Sequence, residues 1–110
     1  MLTREHRLTK KSDFEEVRTN GKFFGGKLFS VAYLNKKNKD ESRFGFIVAK
    51  KISTASVVRN RIKRVLREII RKKFLGEKAG YDFVIIAKSA IINKTSREIE
   101  SELKKGFEEL

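Results

Sequence analysis

The chain has 110 residues, 39% of them hydrophobic and nine of them phenylalanine, enough for one compact domain with its own core. It carries 27 basic and 14 acidic residues, a net +13, and no cysteine, so disulfides, thiolate metal sites and a cysteine nucleophile are excluded. Apolar runs are no longer than strands and MLTREHRLTKK at the start holds no hydrophobic segment, which predicts a soluble cytoplasmic protein.

In chain order, residues 1–10 are expected to be a mobile segment of the single domain 1–110, with His6 an inert surface group. Ser12 and Glu15 have capping-box spacing, opening a short helix with Phe14 and Val17 on one side that ends near Asn20 and Gly21. Gly21, Gly25 and Gly26 precede no Gly-Lys-Ser/Thr sequence and read as turn residues, not a phosphate loop. Residues 28–34 and 43–49 are rich in aromatic and β-branched side chains across a polar segment, which predicts an antiparallel hairpin. A basic helix follows from Ser56 to Leu75, closing at Gly76, and then a buried strand over 82–87. If that strand runs parallel to 43–49, the helix is their crossover and lays its aliphatic side on the sheet. Thr95 and Glu98 form a second capping box, opening a helix with Ile99, Leu103, Phe107 and Leu110 on one side. Acidic residues outnumber basic ones on that last helix, which argues against it as the main contact for a polyanion.

The charge is concentrated. Residues 50–73 hold ten basic side chains against Glu68 alone, so +9 of the net +13 sits in one helix and its leading loop. Advancing about 100° per residue from Ile62 gathers Val58, Val65, Leu66, Ile69 and Ile70 into a core stripe. Asn60, Arg64, Arg67 and Arg71 fall opposite, flanked by Arg59 and Lys63 on one side and Arg61 and Lys72 on the other. Like charges at i,i+4, such as Lys63 to Arg67, repel unless an anion lies against them. Guanidinium forks at helical spacing match phosphate oxygens two at a time, so nucleic acid is the expected partner.

The string Arg59-Asn60-Arg61-Ile62-Lys63-Arg64, followed by Arg67 and Glu68, resembles the arginine-asparagine-arginine signature of the bacterial ribonuclease P protein subunit. The likeness extends to Arg7, Leu8, Asp13, Phe14, Val17 and Gly21, to the run from Gly45 to Lys51, and to FVIIA at 83–87. It implies an α/β (α+β) two-layer sandwich with a small mixed sheet, in the order αβββαβα, of the ribosomal protein S5 domain 2-like class. The additional strand would lie at Phe23 and Phe24, and the crossover would be left-handed, against the general rule.

The resemblance also implies a function. Ribonuclease P removes the 5′ leader of precursor tRNA; its catalytic RNA performs the hydrolysis with Mg²⁺, so no catalytic residue is expected in the protein, whose carboxylates show no metal-site spacing. The implied contacts to the catalytic RNA are Lys50, Lys51, Arg59, Asn60, Arg61, Lys63, Arg64, Arg67 and Arg71. The implied leader cleft comprises Phe14, Arg18, Ser30, Ala32 and Lys88. Arg18 stands where the family commonly has an aromatic residue, and Ser30 and Ala32 are smaller than usual there, so guanidinium stacking or a phosphate contact by Arg18 would replace aromatic stacking. The loop 53–56 lacks a glycine seen in many relatives. The isolated protein is expected to be monomeric. A DNA-binding regulator or a general structured-RNA-binding protein using the same basic helix is the alternative. A free-standing nuclease has almost no candidate residues, lacking a histidine pair and a two-metal carboxylate cluster.

Overall fold

The computed structural model describes residues 6–37, 42–74 and 79–108. The elements are α1 (Lys11–Asn20), β1 (Lys22–Gly25), β2 (Phe29–Asn35), β3 (Arg43–Ile47), α2 (Ser56–Ile69), β4 (Tyr81–Ala87) and α3 (Ser96–Glu108). A π-helical turn, Ile70–Phe74, ends α2, and a short 3-10 turn, Ser89–Ile91, follows β4. The expected helix ends at Leu75, Gly76 and Leu110 lie outside the described residues, as do residues 1–5.

The four strands form one sheet in the order β1-β2-β4-β3. β1 with β2 and β2 with β4 are antiparallel, whereas β3 and β4 are parallel, with α2 as their connection. The hairpin expected between 28–34 and 43–49 does not form, because β4 lies between those strands. β4 is the most thoroughly apolar strand, buried at Phe83, Val84 and Ile85 on alternating sides, and it takes a central place where both faces are covered. β2 finds its hairpin partner in the short β1 instead.

Alternation along the strands gives the sheet two unlike faces. One presents Phe29, Val31, Phe44, Phe83, Ile85 and Ala87 to α2 and α3, which return Ile62, Leu66, Ile69, Ile99, Leu103 and Phe107. Phe83 lies at its centre, stacked on Phe44 at 5.1 Å between centroids and meeting Phe107 edge-on at 5.1 Å. The π turn widens the end of α2 by a residue, so that Ile70 and Phe74 both turn inward and Phe74 stacks on Phe107 at 4.9 Å.

The opposite face is built from smaller groups, and α1 covers part of it. Val17 and Phe14 of α1 pack with Leu8 onto Ala32 and Val84. Gly45 makes this possible: a Cβ there would stand 2.5 Å from the Phe14 ring. The sandwich is thus two complete layers plus the partial one contributed by α1.

Two local expectations are corrected by the structure. His6, expected at the surface, is only 8% exposed, and the residues after it lie along β3: Arg7 bridges to Phe44 and the Leu8 N–H donates to the Phe44 carbonyl at 2.9 Å. The apolar Leu8 draws the segment onto β3, a pull that a lone residue does not reveal in sequence. Nor does Ser12 cap α1, which starts at Lys11 without a side-chain cap. The Lys10 carbonyl accepts from the N–H groups of Asp13 and Phe14 at 3.1 and 3.2 Å, so Ser12 falls inside the first turn. The second box is formed: the Glu98 N–H donates to Thr95 Oγ1 at 3.2 Å, and the Thr95 N–H and hydroxyl donate back to Glu98 Oε1. Those bonds hold the Glu98 carboxyl below the usual carboxylate range.

A candidate nucleic-acid interface

The aliphatic stripe of α2 decides where its cations go. Ile62, Leu66 and Ile69 are buried against the sheet, with Val58 and Val65 half-buried beside them, so Asn60, Arg61 and Arg64 stand in solvent. Lys50 and Lys51 are exposed in the preceding loop, and Lys63 is half-buried. Among the described residues, Arg61, Lys63, Arg64, Lys50 and Lys51 have no carboxylate partner. The start of α2 adds to this field. Ala55 offers no side-chain cap and the first turn holds no acidic residue, which leaves backbone N–H groups and the positive end of the helix dipole facing an incoming anion.

Three arginines of the set are engaged by other groups of the protein. Arg59 is half-buried and spends Nη1 on the Ser53 carbonyl at 2.8 Å, fixing the loop against the helix. Arg67, expected opposite the core, folds over the Phe46 ring at 5.9 Å, and its buried Nε has no partner among the described residues. Because β3 is the outer strand beneath α2, nothing blocks the long arginine stem from lying along it. Arg71 is paired with Glu68 through Nε at 3.3 Å and Nη2 at 3.0 Å. That guanidinium is the largest of several influences that hold the Glu68 carboxyl down to about 2. The free row is therefore Arg61, Lys63 and Arg64 with Asn60, while Arg59, Arg67 and Arg71 are held by the protein itself.

On the other side of the sheet, the part that α1 leaves open is a row across all four strands: Gly25, Ser30, Ile86 and Ile47, in register and at most half-buried apart from the exposed Gly25. Arg18 and Thr19 of α1 meet Phe23 and Ile86 around a cavity of about 410 Å³. Phe23 is 54% exposed, an aromatic ring in reach of a ligand beside a guanidinium. Lys88 closes the far end and donates from Nζ to the Gly26 carbonyl at 2.7 Å. Ser30 lies in the floor. Ala32 does not: it is fully buried beneath α1, one row away, and no ligand can touch it. Phe14 is half-buried with its ring on Gly45, so it forms the back wall. Sequence reasoning missed Phe23, Ile47 and Ile86; alternation within each strand was visible, but which rows align across the sheet depends on strand order.

The carboxylates of α1 are largely tied down at its other end. Arg43 donates to buried Asp82 through Nε at 3.0 Å and Nη2 at 2.7 Å, with Asp13 3.5 Å away, and the Asp82 bonds raise the Arg43 pKa. Glu16 pairs with Lys36 and raises its pKa in the same way. This keeps two negative charges from the open row, where Glu15 remains beside Arg18 and Lys88.

The chain is similar to one family over nearly its whole length. The model of the family described as Ribonuclease P matches residues 2–110. The ribonuclease P protein component of Clostridium acetobutylicum is 39% identical over 105 residues, spanning 94% of this chain and 87% of its own length. That of Bacillus cereus is 37% identical over 102 residues, spanning 93% of this chain and 88% of its own. The structure of the Staphylococcus aureus RNase P protein is similar with a TM-score of 0.81 at 29% identity, over 91% of this chain and 90% of that one. That from Thermotoga maritima gives 0.80 at 25% identity, over 94% and 96%. The DNA-binding reading finds no support in any of them. An arginine-bearing crossover helix on a sheet of this topology, matched from residue 2 to residue 110, places the chain in the ribonuclease P protein family.

Proposed function

We propose that this subunit of ribonuclease P docks on the catalytic RNA through Asn60, Arg61, Lys63 and Arg64, with Lys50 and Lys51 beside them. The open row between α1 and the sheet then receives the single-stranded 5′ leader of precursor tRNA, with Arg18, Ser30 and Lys88 as contacts. The single observation that carries the docking half is the free cationic row on α2: an array without internal counter-ions is relieved by a polyanion. For the leader half, the support is a strip that carries Arg18 and Lys88 against Glu15, with the exposed Phe23 ring beside Arg18, a cation and a ring together as single strands favour.

In this reading the RNA carries out the hydrolysis and Mg²⁺ enters through the RNA; among the described residues no group of three His, Cys, Asp or Glu side chains could hold a metal ion. Arg59, Arg67 and Arg71 act as supports, fixing the loop, the sheet edge and the helix end on which the free row stands. The protein works in the cytoplasm as a monomer until it meets RNA; among the described residues no helix is long and apolar enough to cross a membrane. Two RNAs repel one another, so a cationic subunit placed between them lowers the cost of their meeting and favours precursor, which has a leader, over product.

Reconstitution with a bacterial-type ribonuclease P RNA at low Mg²⁺ tests this. Stimulated removal of the 5′ leader is expected, and absence of stimulation across several such RNAs would refute the proposal.

A further inference from the structure

The tip of the β1–β2 hairpin and α3 enclose a groove of about 750 Å³ on the helical side of the sheet. It brings Lys27 of the hairpin together with Lys94, Arg97, Ser101 and Lys105 of the α3 segment, all exposed. Two carboxylates share the lining, and both are already engaged. Glu102 accepts the consecutive backbone N–H groups of Lys27 and Leu28, each at 2.9 Å. Gly26 permits this clasp, since a Cβ there would stand 2.6 Å from the Glu102 carboxylate. Glu98 accepts from Thr95 and lies 3.8 Å from Lys94. Among the described residues, Lys27, Arg97 and Lys105 have no carboxylate partner.

The acidic excess of α3 therefore misleads, because the groove lining holds four cations, Lys27, Lys94, Arg97 and Lys105, against the two carboxylates Glu98 and Glu102. Arg97, Ser101 and Lys105 succeed one another at i, i+4 and i+8, in a single row rising about 6 Å per step. Such a row suits a chain of repeated anions better than one compact ion. The apolar residues of the lining are turned to the core: Phe29 and Leu28 are buried, and the Phe24 ring fills the space above Gly106. No exposed ring waits for a base, so recognition would be of phosphate and sugar, without sequence preference. The groove sits at the β1 edge of the sheet, whereas α2 lies towards β3, the opposite edge.

We propose that this groove is a second RNA-binding surface, which grips a stretch of ribose-phosphate backbone separate from the one held by α2. The choice of RNA over an acidic peptide rests on the reading of the protein as an RNA-bound subunit. Two surfaces at opposite edges would let one small protein pin two segments of a folded RNA, or one segment and its substrate.

Amide NMR titration of the full chain with a short mixed-sequence single-stranded RNA tests it, alongside a polyglutamate peptide. Shifts are expected at Lys27, Leu28, Arg97, Ser101 and Lys105 in addition to those on α2. Arg97→Ala with Lys105→Ala should abolish the groove shifts, keep those on α2, and reduce the slope of log affinity against log salt by about 0.7 for each phosphate that is no longer neutralised. Shifts confined to α2 and the open row would overturn the proposal, as would polyglutamate moving the groove as strongly as RNA. Groove shifts without any on α2 would sink the docking role of α2 and leave this surface standing; no shifts anywhere would sink both.

Discussion

The two faces of the sheet come from the same strands, yet they do opposite things. The face under α2 and α3 is filled with rings and branched chains and is closed to solvent, whereas the face under α1 carries Ser30, Ala32 and Gly45 and is left half open. Bulk on one side builds stability, and its lack on the other makes room, first for the Phe14 ring and then for a strip where a ligand can lie. A short helix is what allows this, since ten residues span about 15 Å and cannot roof a four-stranded sheet.

Substitutions can break or sharpen that contrast. Phe83→Ala removes the central ring of the closed face and should cost about 3–5 kcal/mol, read as a lower urea midpoint. A midpoint close to that of the native chain would mean the closed face is not the main source of stability. Gly45→Ala overfills the other face, pressing on the Phe14 ring, and should cost about 1–3 kcal/mol in the same measurement. If it instead stabilises, the ring has room to move and the fit under α1 is loose. Arg18→Ala should change stability by less than about 0.5 kcal/mol, because the side chain is exposed, while weakening binding of a single-stranded leader RNA. Equal leader affinity in the variant and the native chain would remove Arg18 from the strip.

The smallest effect on the fold concerns Glu68. Its carboxyl is depressed from 4.5 to about 2, with the Arg71 hydrogen bond the largest cause, so its interactions contribute stability above the unfolded value and lose it as pH falls from 4.5 through about 2. In Arg71→Ala the Glu68 titration, followed by carboxyl carbon shifts, should move up part of the way towards 4.5. A midpoint still near 2 would mean that Arg71 is not the group responsible, and the reading of Arg71 as internally held would fail.

Much of this was legible in the sequence. The stripe from Ile62 to Ile69, the strand runs, the Thr95–Glu98 box and the parallel pairing of β3 with β4 all follow from period, composition and connection length, which are local properties. The order of the strands is not local: Tyr81–Ala87 wins the place beside β2 by being the strand best suited to burial on both sides, a competition no single segment records. The same limit applies to the arginines. A helical wheel gives the direction of Arg67 and Arg71 but not the Phe46 ring or the geometry of Glu68, which engage these two guanidiniums. Likewise Phe23 lay in a segment recognised as a strand, but only the alignment Phe23-Ala32-Val84-Gly45 shows it beside Arg18.

The bridge from Arg7 to Phe44 has a consequence for the protein in bulk. β3 is an outer strand, and an outer strand offers unpaired N–H and C=O groups to any other extended chain, including a second molecule of the same kind. By laying residues 6–8 along it, the chain supplies its own stopper and blunts the templating that leads to ribbon-like aggregates. A handful of residues ahead of the first helix thus guards the solubility of the whole molecule before any RNA arrives.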